Sequence, residues 1–321
     1  MPGVLGPQPR GGPAAARAAA AADDEWPFER FLYRGSTYEG TTGIEAELAQ
    51  RIFSDHGHLY PPGTNDEKRE RQHLAFVFMR FAPCDSGFTQ VMHTPRSGAC
   101  TKHLFKSHVR PVLASLAASM DYIHYDLRLA HDNHSVAFPS RFTAIVDTYP
   151  VLVAVADKDA SAALYQPKYK ADVIKVETAI DLKGNLLFHL FGFAGTMHDM
   201  RVFQANCVPH PPEPSHPLLA WELWLGDKAY MHLPQVLTKS LENEELTPAD
   251  AENNKAIDFI RSRVEQIIGL IKRRFAVMTG TWTRSVELLA DVVAIAGQVQ
   301  QLYTLIHGER FPAYGNWAHN I

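Results

Sequence analysis

The feature that most restricts this chain is a block of β pattern set between two helical stretches. Residues 173–193, "VIKVETAIDLKGNLLFHLFGF", read as a hairpin. Val173 to Ile180 is one strand, Asp181-Leu182-Lys183-Gly184-Asn185 the turn, and Leu186 to Phe193 the next strand. Just before it, "RFTAIVDTYPVLVAVA" is rich in β-formers; Pro150 breaks this run, and Val151 to Ala156 resume it. Leu223-Trp224-Leu225 adds a short buried strand after the proline-rich segment Val208 to Pro217, which is long enough for a surface excursion.

Helical spacing flanks this block. In "GIEAELAQRIF", Ile44, Leu48 and Ile52 recur every four residues. Further on, "EKRERQHLAFVFMRFA" starts charged and becomes apolar. In the last third, Ile257, Ile260, Val264, Ile267, Ile268, Ile271 and Phe275 form a stripe, and "SVELLADVVAIAGQVQQLYTLI" is a second apolar helix. Helices, an antiparallel block, one more strand and further helices predict an α/β fold: a mixed sheet with helices packed on it. Residues 1–24 form a low-complexity tail, 25–137 a helical N-terminal domain, 138–306 the sheet-bearing domain and 307–321 a C-terminal tail. Within the N-terminal domain, "HTPRSGACTKHLFKSHVRPVLASLAASMDYI" gives a turn followed by a helix. Lys102, His103, Lys106, His108 and Arg110 there suit either a DNA-reading helix-turn-helix or an ordinary helical subdomain with solvated charges.

The net charge of −4 over 321 residues carries no global signature of polyanion binding. Cys84, Cys100 and Cys207 are sparse and contain no Cys-x-x-Cys pair, which argues against a zinc-thiolate site and suits a reducing compartment. No apolar run is expected to span a membrane. The Pro/Gly/Ala-rich start reads as a disordered tail in preference to a transit peptide, because Ser is absent from it.

Three acids stand out by position. Asp147 ends the apolar run "FTAIV", Asp227 follows "LWL" and Gly226, and Glu265 lies within the long C-terminal helix beside its apolar stripe. Each also has a plain structural reading. Asp147 and Asp227 suit turn caps, and Glu265 suits an i, i+4 pair with Arg261 worth about half a kcal/mol. Gly226 lets the backbone turn sharply before Asp227. Taken together, two strand-end aspartates and a helical glutamate supply hard oxygen ligands for Mg²⁺ or Mn²⁺. Two such ions about 4 Å apart promote phosphodiester cleavage. The same helix carries Arg261, Arg263, Lys272, Arg273 and Arg274, a local basic patch that the overall charge conceals.

Five segments in order resemble the DDE superfamily endonucleases of the PIF/Harbinger transposase type, in a fungal-like form: "AIVDTYPVLV", "YQPKYKADVIKVETAIDLKGNLLF", "FAGTMHDMRVFQ", "LWLGDKAY" and "RSRVEQIIGLIKRRF". The 37 residues between Asp227 and Glu265 are close to the spacing such families show. The resemblance implies an RNase H-like fold, DNA strand cleavage and transfer, and Asp147, Asp227 and Glu265 as a triad for two Mg²⁺ or Mn²⁺ ions. His198 and Asp199 rank second: they line the site or order a strand-to-helix turn. Lys168, Lys170, Arg261, Lys272 and Arg273 are candidate DNA phosphate contacts. The resemblance also implies nuclear DNA as partner, a separate Myb-like DNA-binding protein and a homo-oligomer. Ala194 departs from the proline many relatives carry, and the segment 208–217 looks like an insertion. Two rivals remain: a domesticated, non-cleaving DNA-binding or regulatory protein on the same fold, and a metallohydrolase using His131-Asp132-Asn133-His134 with His198-Asp199, whose spacing matches no zinc signature.

Overall fold

The computed structural model describes residues 38–81, 103, 105–130, 142–155, 157–208, 214–239, 247–308 and 311. In chain order the elements are α1 (Tyr38–Thr42), α2 (Ala46–His56), α3 (Asn65–Phe81), α4 (Arg110–Ser119), β1 (Phe142–Leu152), α5 (Lys158–Leu164), β2 (Tyr165–Gln166), β3 (Ala171–Asp181), β4 (Leu186–Ala194), α6 (Asp199–Cys207), β5 (Leu223–Leu225), β6 (Val236–Leu237), α7 (Pro248–Arg274) and α8 (Val286–His307). The disordered-tail and transit-peptide readings of the N-terminus, the His131–His134 cluster, Cys84, Cys100 and nearly all of the C-terminal tail lie outside the described residues.

β1 is the centre of the sheet. β3 runs antiparallel on one side of it and β4 antiparallel beyond β3, while β5 and then β6 run parallel on the other side. The short β2 pairs with the start of β3. This mixed sheet flanked by helices is the predicted α/β architecture and is consistent with an RNase H-like arrangement. The hairpin falls where the sequence places it. Asp181 accepts through Oδ1 from the backbone N–H groups of Lys183, Gly184 and Asn185, and Gly184 takes φ +99°, open to glycine at little cost. Pro150, expected to break the strand, does not: β1 runs through it, opposite Lys175. β5 pairs with β1 only as far as Ile145. Beyond that point β1 is bonded along one side by the named strands, a setting in which a strand tolerates a residue without an N–H.

The two faces of the sheet bury different sets of side chains. Ile145, Tyr149, Val151, Val176 and Ile180 pack under α7 and α8, in one core that also takes Ile44, Leu48, Phe76, Phe78, Val112 and Leu116 from the N-terminal helices. Ala144, Val146, Ala179, Phe188, Phe203, Trp224 and Tyr230 form the smaller core on the other face. Of the helix-turn-helix candidate, the turn and first half lie outside the described residues. The second half is a π-helical turn, Phe105–Val109, leading into α4, with Lys106 and Arg110 exposed. The expectation about membrane spans needs one correction. α8 is long and apolar enough to cross a membrane by length and composition, but most of its apolar window is buried. A helix enclosed by a protein core reads apolar on all sides, as a membrane span does.

One ion pair fixes the parallel half of the sheet. Arg128 Nε donates to Glu222 Oε1 at 2.8 Å, with the two side chains 3% and 0% exposed. Thr143 Oγ1, on β1, donates to the same oxygen at 2.7 Å, and the backbone N–H of Leu219 donates to Glu222 Oε2. Glu222 is the residue before β5, so the network holds the entry to β5 against β1. Burial alone would raise the Glu222 carboxyl, but the bonds from Arg128, Leu219 and Thr143 outweigh it and hold the pKa below the usual glutamate value. A depressed carboxyl stabilises the fold above its unfolded pKa, and that stabilisation is lost as pH falls through the folded value. Glu222→Gln leaves buried Arg128 with only the exposed Asp126 as counter-charge and is expected to lower stability by about 3–5 kcal/mol at pH 7 in urea unfolding, with the difference from wild type shrinking in acid. A cost below 1 kcal/mol at pH 7 would show that the pair does not hold β5 in place.

Candidate active site

The register of the parallel strands brings the two aspartates together. Ile145 of β1 pairs with Leu225 of β5, so Asp147 and Asp227 each lie two residues beyond this last pair, at the carboxyl ends of neighbouring parallel strands. Strands so paired are about 4.8 Å apart. α7 crosses this end of the sheet, burying Ile260, Val264, Ile267, Ile268 and Ile271 and leaving Glu265 on its exposed flank. Its first turn is secured by a capping box between Thr247 and Asp250 and by Pro248 at the helix start.

Asp147, Asp227 and Glu265 line a single cleft of about 480 Å³. Of the other predicted residues, Asp199, Lys168, Arg261 and Lys272 share it, and Lys170, Arg273 and His198 do not. His198 is the N-cap of α6, its Nδ1 accepting from the Met200 N–H at 3.3 Å. It therefore orders the strand-to-helix turn, while Asp199 reaches the cleft. Arg273 gives its backbone carbonyl to Arg80. The basic patch of α7 is split by helical periodicity: Arg261 and Lys272 face the cleft, whereas Arg263 is buried and donates to the Leu182 carbonyl, and Arg274 lies over the Tyr303 ring.

Each acid also performs the plain structural task. Asp227 Oδ1 accepts from the Ala229 N–H at 2.8 Å and caps a 3₁₀ turn. Asp147 Oδ1 accepts from the Thr148 N–H. Glu265 pairs with Arg261 at 2.7 Å. Gly226 serves a different purpose from the one expected. Its φ is ordinary, and a Cβ there would come within 2.8 Å of Val236 and 2.9 Å of the Tyr230 ring. Glycine is needed because these side chains pack against the backbone that leads into Asp227.

The donor set is three carboxylates, the hard oxygen ligands that Mg²⁺ and Mn²⁺ take, so the residues fit such an ion chemically. No three His, Cys, Asp or Glu side chains among the described residues stand close enough to form a ready ligand set, and Glu265 is turned onto Arg261. A bound cation therefore has to compete with that guanidinium. Asp147 registers the concentration of negative charge. Burial raises its pKa, Asp227 and Glu265 raise it further, and against the opposing Thr148 N–H and Arg261 it reaches about 6. Lys272 Nζ, 4.5 Å from the Tyr149 ring centroid, is held below its usual pKa by burial and supported by Asp147.

Lys175 is the cleft residue that the sequence reading overlooked. It is nearly buried on β3, and its Nζ donates to Asp199 Oδ1 at 2.7 Å and to the Met197 carbonyl. The available signal was the pair Lys175 and Glu177, two charges of period two on the strand face that they share with Val173 and Ala179. Glu177, behind the cleft, is fully buried, which pushes its carboxyl up to about 8 against the bond donated by Asn206. It ties α6 to the sheet as a neutral acid.

The raised Asp147 pKa has a signed consequence. Without metal, the ionised carboxylate opposes folding above pH 6, and as pH falls from about 6 towards the usual aspartate value the folded state gains a proton and becomes more stable. Asp147→Asn is expected to stabilise the metal-free protein at pH 7 by on the order of 1–3 kcal/mol, a gain that disappears by about pH 4. Melting curves parallel to wild type at every pH would contradict this. Gly269, one turn beyond Glu265, also lines the cleft, and a Cβ there meets nothing within 4 Å. Gly269→Ala is expected to raise stability by about 0.5–1 kcal/mol in thermal unfolding, through the helix interior alone.

No curated protein and no solved structure matches this chain significantly. A family model does match. It is described as DDE superfamily endonuclease and covers residues 146–298, the stretch that contains Asp147, Asp227 and Glu265, so this segment is similar to that family.

Proposed function

We propose that the chain cuts DNA by divalent-metal-assisted attack of water on a phosphodiester and passes the freed strand on, in the manner of a PIF/Harbinger-type transposase. The observation that carries this reading is the convergence of Asp147, Asp227 and Glu265 on one cleft that also holds Lys168, Lys175, Arg261 and Lys272. When bound, a pair of Mg²⁺ or Mn²⁺ ions supplies an activated water and neutralises charge on the departing 3′ oxygen. Asp147, Asp227 and Glu265 would hold them. Lys168 and Lys272 meet the non-bridging phosphate oxygens. Lys175 fixes Asp199 at the rim. Water's oxygen bonds to phosphorus, the bond to the 3′ oxygen breaks, and the leaving strand takes up a proton to end in a 3′ hydroxyl. That hydroxyl, in place of water, then attacks a target phosphodiester: its oxygen bonds to phosphorus, the bond to the target's own 3′ oxygen breaks, and that oxygen leaves as a hydroxyl. On the same reading, which here rests on the resemblance, the chain acts in the nucleus with a Myb-like DNA-binding protein and a second copy of itself.

One observation favours the rival, a non-cleaving DNA-binding descendant: Glu265 is neutralised by Arg261. Metal titration by calorimetry, paired with a nicking assay on DNA, separates the two. Wild type is expected to bind Mn²⁺ and to nick DNA. Asp147→Asn, Asp227→Asn and Glu265→Gln are each expected to lose at least about a hundred-fold in rate with the fold intact. Mg²⁺-dependent nicking retained by one variant would remove that residue from the triad. DNA binding without nicking in wild type would establish the non-cleaving reading.

A further inference from the structure

Asp227 and Arg261 line two clefts. The second, of about 250 Å³, is bounded by Gly226, Asp227, Lys228, Lys239 and Arg261. Its position follows from the sheet. Leu225 of β5 pairs with Leu237 of β6, so Lys239 lies two residues past the pair, at the same level as Asp227, and Asp227 lies at the same level as Asp147. Asp147, Asp227 and Lys239 thus form a row across the carboxyl ends of three parallel strands. The row begins at the metal-type acids and ends at a cation.

The two clefts differ in charge. The first is lined by four acids and four cations, whereas three of the five residues lining the second are cations and Asp227 is its one acid. The second has too few carboxylates for a metal and enough cations for a phosphate. Its cations are exchangeable. Lys239, 27% exposed, pairs with Asp258, 44% exposed, and Arg261, 21% exposed, pairs with Glu265, 49% exposed. Pairs so open to water are worth about 0–1 kcal/mol, so a phosphodiester competes for both cations at little cost. Lys228 is exposed. The buried Arg128–Glu222 pair shows the contrast: it has no solvent-facing side from which an anion can approach.

We infer that this second cleft is a phosphate subsite for the DNA strand, in which Lys228, Lys239 and Arg261 hold the phosphodiester next to the scissile one. The strand then crosses the sheet end from β1 over β5 to β6. Arg261 links the subsites, because a cation that takes over Glu265 releases the guanidinium to the phosphate. The inference rests on the strand-cleaving reading for what lies in the first cleft, but binding in the second is measurable without catalysis.

The test is fluorescence anisotropy of a labelled thymidine oligomer in EDTA, over a salt series, with wild type and the double variant Lys228→Gln/Lys239→Gln. Lys228 is exposed and Lys239 partly so, and circular dichroism confirms that the variant is folded. Loss of two phosphate contacts is expected to weaken binding tenfold or more and to flatten the log–log salt slope by about 1.4. Unchanged affinity and slope would overturn the subsite, as would absence of oligomer binding by wild type, or inorganic phosphate binding in its place. A nicking assay on the same proteins keeps the two readings apart. Oligomer binding through Lys228 and Lys239 without nicking removes the strand-cleaving reading and leaves the subsite. Full nicking by the double variant with unchanged binding does the reverse.

Discussion

The alignment of β5 beside β1 is the constraint on which the rest of this molecule depends. β5 is three residues long and β6 two, too short to choose a register by backbone bonding alone. The register is set at the strand entry, where Glu222 is held by Arg128 and by Thr143 of β1 in a buried network. From that fixed point, Leu225 falls beside Ile145, and the residues just beyond them fall beside each other. The opposition of Asp147 and Asp227 is therefore the downstream result of a buried ion pair at the other end of a short strand. Buried pairs of this kind contribute little net stability over an apolar substitute, but they penalise every misaligned alternative in which one partner is left unpaired.

At the opposite end of the sheet the electrostatics run the other way. Asp147 is ionised only against burial and two neighbouring acids, Lys272 stays charged against its own burial, and Glu265 relies on Arg261. A fold that gathers like charges in a cleft gives up stability there. The rigid core beneath, where α7 and α8 close over β1 and β3, makes the arrangement affordable. The match of residues 146–298 to the DDE superfamily endonuclease model covers this cleft and leaves out the whole N-terminal helical part, whose helices nevertheless share the same core.

Much of this was legible in the chain because it is local. The hairpin followed from alternation and a Asp-to-Asn turn, α7 and α8 from apolar stripes of helical period, and the three acids from their places at strand ends and beside a stripe. The short β6 was not legible, since two residues carry no period. Nor was the continuity of β1 through Pro150, which depends on how far a distant strand runs alongside it. Lys175 was passed over because a lysine in an apolar strand has no meaning until Asp199 is brought to meet it.

By itself, then, the sequence determined the type and order of the longer helices and strands and marked out three acids by position, because these are written in periods of two and 3.6 residues. Only the tertiary structure decided that these acids share a cleft, that Lys170 and Arg273 stay out of it, that Arg261 occupies Glu265, and that Lys239 extends the row begun by Asp147 and Asp227. The physical reason is that each of these depends on register between segments far apart in the chain, and register is set by packing and by buried charge pairing, neither of which has a local signature.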